Sequence, residues 1–290
     1  MNKTKTKGDI MSLRKETVVE TLEDLKVYEK GIWNVSSGAS EIEEIKGYKA
    51  IRMNRDDAVV RIVSPDYNVI QHTDAFEQTI ADLDKLNLDY VIRDFKVNDF
   101  KGRNNKRHNS IQATFEFPEI QINVEGHKIN ATLELFNSND TTLMFTRKFG
   151  AFSEKGNSHM STGKSLFYEH FKHVGSNDFG NMADAVAKLP EFLRTFGEMI
   201  QKTTIVKTSN VITRGLIELG FPARLIDNLE VASEKYQDMV GEKVSPETLW
   251  GIYQILVDWL SNVVAKTNIK RADKMGAVLY RFVRLKVAGI

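Results

Sequence analysis

The stretch IQATFEFPEIQINVEGHKINATLELF, Ile111 to Phe136, decides the fold. Ile111, Ala113, Phe115 and Phe117 alternate with polar residues, and so do Ile129, Ala131, Leu133 and Leu135. A period of two is the period of a strand with one face buried. Glu125 to Lys128, EGHK, lies between the two runs and predicts a hairpin turn. Pro118 has no N–H to donate to a ladder, so it predicts an edge position or a bulge. A polar turn, Asn137 to Thr141, separates this pair from a third run, TLMFTRKF, Thr142 to Phe149. Three strands joined by short turns make an antiparallel meander rather than βαβ units.

Working outward, Tyr90–Val97 (YVIRDFKV) reads as a further strand, and so do Ala58–Ser64 and Tyr67–Gln71 on either side of the turn Pro65-Asp66. His72–Asn87 reads as a helix, with Phe76, Ile80 and Leu83 on one stripe and Thr73 or Asp74 as its N-cap. Glu16–Lys30 predicts a short amphipathic helix through Val18, Leu22 and Leu25. From Asn181 the period becomes helical. Pro190 should split the stripe of Met182–Lys202, and Gly220 should stop the helix before Phe221-Pro222. Ser245 and Pro246 look like the N-cap and first position of a long apolar helix. The last helix, Lys270 to Val287, is basic on one side. The expected fold class is therefore α+β: an antiparallel meander sheet with helices, followed by a helical C-terminal part. The expected division is an N-terminal segment 1–30, a sheet core 31–180 and a helical region 181–290.

Composition narrows the function. The chain has 290 residues, a net charge of +1 and no cysteine, which removes disulfides, thiolate nucleophiles and cysteine-ligated metals. No apolar run approaches the roughly 20 residues that cross a bilayer, and the basic start, MNKTKTKGDIMSLRKE, is not followed by the apolar core of a signal peptide. The expectation is a cytoplasmic protein with no membrane partner. At near-neutral net charge, a nucleic-acid site requires local clustering of cations.

Two segments supply clusters. Asn98–Ser110 reads as a long hairpin loop carrying Lys101, Arg103, Lys106 and Arg107, side chains suited to phosphate oxygens. Arg147, Lys148 and Phe149 interleave cations with a ring that suits a stacked base, and Lys155 and Lys164 follow. The bland alternatives are a solvated loop for the first and core packing of Phe149 and Phe152 for the second. His170 and His173 share a face if their segment is helical, and His159 or Glu169 would complete a metal site. That spacing matches no zinc signature. The segment STGKS lacks the upstream glycine and parallel strand of a phosphate-binding loop, which excludes nucleotide hydrolysis through it. No cofactor is indicated.

Four segments in order, VSPDYNVIQHTDAFE, LELFNSNDTTLMFTRKFGAF, EHFKH and TLWGIYQILVDWLS, resemble the DUF932 family of phage- and plasmid-borne proteins. The resemblance runs from about Ile62 to the C-terminus. The family's NSHDG is NSNDT here: Asn137, Ser138 and Asp140 match, Asn139 replaces histidine and Thr141 replaces glycine. The resemblance implies a mobile-element protein, and by analogy a role in binding or annealing single strands during DNA recombination.

Three functions follow as expectations. The first is binding of single-stranded DNA or RNA by a homo-oligomer. The second is an interaction protein for a host defence or replication protein, with Trp250, Tyr253 and Trp259 as partner surface. The third is a metal-dependent enzyme using Asp140, His159 and His170.

Overall fold

Alternation dictates the observed core. The computed structural model describes residues 13–34, 43–101, 107–124, 126–153, 158–160, 168–171, 182–240 and 244–289. A helix α1 (Lys15–Glu23) buries Val18 and Leu22. An antiparallel sheet of β1 (Val27–Asn34), β2 (Glu43–Met53) and β3 (Val59–Val63) follows. Helix α2 (His72–Lys85) then leads to the main sheet. That sheet runs β4 (Val91–Lys101), β5 (Arg107–Val124), β6 (His127–Ser138) and β7 (Phe145–Ser153), all antiparallel. The outer edge of β7 pairs with β8 (Ser158–Met160) at one end and β9 (Tyr168–Phe171) at the other. The α+β class and the meander are as the alternation predicts. Pro118 sits inside a register shift between Phe117 and Gln121, the bulge its missing donor requires.

The main sheet is covered on both sides. One face, with Phe115 and Leu133, packs under α2, where the Phe76 and Phe115 rings are 5.6 Å apart. The other face carries Gln112, Glu116, Glu134 and Lys148, all buried. The C-terminal helices close over it. These are α3 (Ala183–Ala187), α4 (Leu189–Thr203), α5 (Asn210–Glu218), α6 (Ala223–Ile226), α7 (Leu229–Val240), α8 (Leu249–Trp259) and α9 (Ile269–Val287), with a π-helical turn, Leu260–Val264, after α8. Gly220 ends α5 at φ +95°, a backbone that side chains with a Cβ disfavour.

Several expectations need correction. Tyr67–Gln71 forms no strand and leads directly into α2, whose N-terminus is Gln71 without a side-chain cap. Gln71 instead exchanges hydrogen bonds with the backbone of Val27. Helix α8 begins at Leu249, and Thr248, not Ser245, caps it by accepting from Gly251 N at 3.2 Å. The segment around His170 is strand β9, not helix. Trp250 and Tyr253 are core residues, so of the three aromatics only Trp259 reaches the surface. No helix among the described residues is long and apolar enough to cross a membrane.

Candidate nucleic-acid interface

The turn between β6 and β7 is built by the residues of the NSNDT motif. Asn137 Nδ2 donates to Ile70 O at 2.8 Å and to His72 Nδ1 at 3.0 Å. The His72 proton is therefore assigned to Nε2, which donates to Asn109 Oδ1 at 3.0 Å. Asn139 Nδ2 donates to the same oxygen at 2.7 Å. Ser138 Oγ accepts from Leu143 N at 2.8 Å and donates to Leu143 O at 2.9 Å, clamping the loop shut. Asp140 accepts from Thr142 N at 3.0 Å and from Asn109 N at 3.2 Å. Asn137, Ser138 and Asp140 are all buried, so their job here is to shape this turn.

The result is an exposed ledge, Thr141 to Met144, held over α9. Thr141 has φ +65°, in the left-handed region that penalises a β-branched residue. A glycine would take that conformation freely, so Thr141→Gly is expected to raise stability by about 0.5–1 kcal/mol. Thermal unfolding checks it, and a lowered midpoint would show that the Thr141 side chain holds the ledge.

Opposite the ledge, α9 carries Lys270, Arg271, Lys274, Arg281, Arg284 and Lys286 against one acid, Asp273. That is a strong local excess in a chain of net charge +1. The spacing of Lys270, Lys274 and Arg281 puts them on one helix face. Between them and the ledge runs a groove of about 550 Å³. Its sides include Thr141, Thr142 and Thr146, and Leu143, Met144 and Val278 supply apolar surface. Met144 is 40% exposed.

Asp273 lines the same groove with its side chain 33% exposed, and it offsets part of this charge. It turns inward to Lys148, which is also 3.0 Å from Glu134. Burial alone would pull the Lys148 ammonium down. Glu134 and Asp273 together outweigh it and hold its pKa above the ordinary 10.5. A group raised in this way contributes its full stability below 10.5 and loses it only as alkali removes the proton. Lys148 thus stays charged at neutral pH, with its charge matched inside the protein.

The residues read from sequence divide sharply. Arg147, Lys148 and Phe149 are fully buried, contrary to their expected role as phosphate and base ligands. Both faces of β7 are covered, which takes its side chains out of solvent. Arg147 pairs with Asp82 at 2.6 Å and Glu169 at 2.7 Å, and Phe149 meets Phe117 edge-on. Arg107 belongs to β5 and not to a loop. Its guanidinium grips Asp99 at 2.8 and 3.1 Å and reaches Asp56 at 2.8 Å, so its donors are committed. Lys101 is exposed at the end of β4. Arg103, Lys106, Lys155, Lys164 and His173, and the side chain of His159, lie outside the described residues. Among the described residues no cluster of His, Asp and Glu could hold a metal ion. Glu169, a suggested ligand, is engaged by Arg147.

The groove itself was half visible: the basic face of α9 reads from sequence, its opposite wall does not. No family model matches the chain, and neither a curated protein nor a solved structure matches it. The DUF932 resemblance therefore stands on the quoted residues alone.

Proposed function

We propose that this chain binds single-stranded nucleic acid along the α9 groove. The observation that carries the reading is the row Lys270, Lys274 and Arg281 over a concave, partly apolar floor. Cations in a row track a phosphate backbone, and apolar surface beside them receives unstacked bases. A duplex presents its phosphates on a convex cylinder and hides its base faces, so the groove favours the single strand. In the mobile-element setting that the DUF932 resemblance implies, the activity would serve strand annealing or recombination in the host cytoplasm, carried out by an oligomer.

The test is fluorescence anisotropy with a labelled single-stranded oligonucleotide, as DNA and as RNA, and a duplex control across a salt series. Binding should prefer the single strand. With three groove cations engaged, log Kd against log salt should have a slope near 2, from about 0.7 counterions released per contact. Binding that ignores salt, or no binding at low salt, would overturn the reading in favour of a protein partner.

A further inference from the structure

A second groove, of about 750 Å³, lies between α6–α7 and the end of α8. Its apolar walls include Leu225, Val231, Trp259 and Val263. Val231 is 47% and Val263 54% exposed, on opposite sides of the cleft. Trp259 is braced by the Phe221 ring at 6.1 Å, which fixes one wall. The other feature of that wall is the π-helical turn Leu260–Val264. It buries Leu260 and Val264 while turning Val263 outward, and such turns are frequent at functional sites.

The rim is cationic. Arg224, Lys235 and Lys266 stand around it, and Asp258, the acid among the lining residues, accepts a 2.7 Å hydrogen bond from Asn262. An apolar cleft between helices with cations on its edge is complementary to a helix with one apolar face and acidic flanks. A second copy of this chain joined by a two-fold axis would set cation against cation across the same cleft, which disfavours self-association there. The cations here stand on both sides of the cleft, Arg224 and Lys235 on one and Lys266 on the other, and not in the single row that tracks a phosphate backbone. We infer that this groove docks an acidic amphipathic helix of a partner protein.

Two labelled 14-residue peptides test this, with the same leucines at helical spacing and either Glu or Lys at every other position. Titrated into the full chain, the Glu peptide is expected to bind at least about tenfold more tightly than the Lys peptide. Lys235→Glu with Lys266→Glu should reverse that preference. Val263→Asp, and the milder Val263→Ser, should weaken the Glu peptide while oligonucleotide binding and the unfolding midpoint stay unchanged. Equal binding of the two peptides, or none, overturns the inference. So does a dimer in light scattering that Val263→Asp dissolves, because the groove would then belong to a second copy. The α9 groove is untouched by these variants, so the two readings succeed or fail separately.

Discussion

Lys148→Met is expected to destabilise the fold by about 3–5 kcal/mol, the usual cost of leaving a buried charge without its partner. Methionine matches the length of the lysine stem, so little packing is lost. The damage falls on Glu134, which is buried beside Lys148 on the helix-covered face of the sheet. Asp273 is better placed, with its side chain 33% exposed and able to take up water. Adding Glu134→Gln to Lys148→Met should therefore recover much of the loss. Urea unfolding of the two variants measures both steps. A Lys148→Met protein with wild-type stability and weakened oligonucleotide binding would return Lys148 to the role of a phosphate ligand.

The triple reversal Lys270→Glu, Lys274→Glu and Arg281→Glu is expected to weaken single-strand binding by more than about 100-fold at low salt, since three attractions become three repulsions. The three side chains are exposed, so the unfolding midpoint should hardly move. Reversal at Arg107 is the useful contrast. Its donors already serve Asp99 and Asp56, so Arg107→Glu should cost stability more than affinity. Equal loss of binding from both variants would place the ligand on the β4–β5 end of the sheet instead.

The sheet was legible because its strands alternate over long runs and end in recognisable turns. Strands β1 and β2 were not, since Gly31, Trp33 and Gly47 interrupt any clean period there. Ser245 and Pro246 form a convincing helix start, yet Thr248 caps α8, because two hydroxyl residues three positions apart compete for one role and packing chooses between them. The Arg147-Lys148-Phe149 run misled for a similar reason. Local sequence shows two cations and a ring, but Asp273, which answers Lys148, is 125 residues away. The same distance hid the α9 groove: its basic face is a local pattern, while its other wall depends on how the NSNDT turn is brought beside it.

The triad of buried Lys148 and Glu134 with the half-buried Asp273 of α9 has a consequence for how that helix is laid down. A helix on a purely apolar sheet face can slip along it by one turn, about 5.4 Å, and find nearly equivalent packing. Such a slip here would withdraw Asp273 from Lys148 and leave the buried ammonium with one of its two carboxylates. The triad therefore acts as an address, admitting α9 at one register and refusing its neighbours. It also fixes Lys270, Lys274 and Arg281 at a set height above Thr141–Met144, so the dimensions of the groove are decided from beneath it.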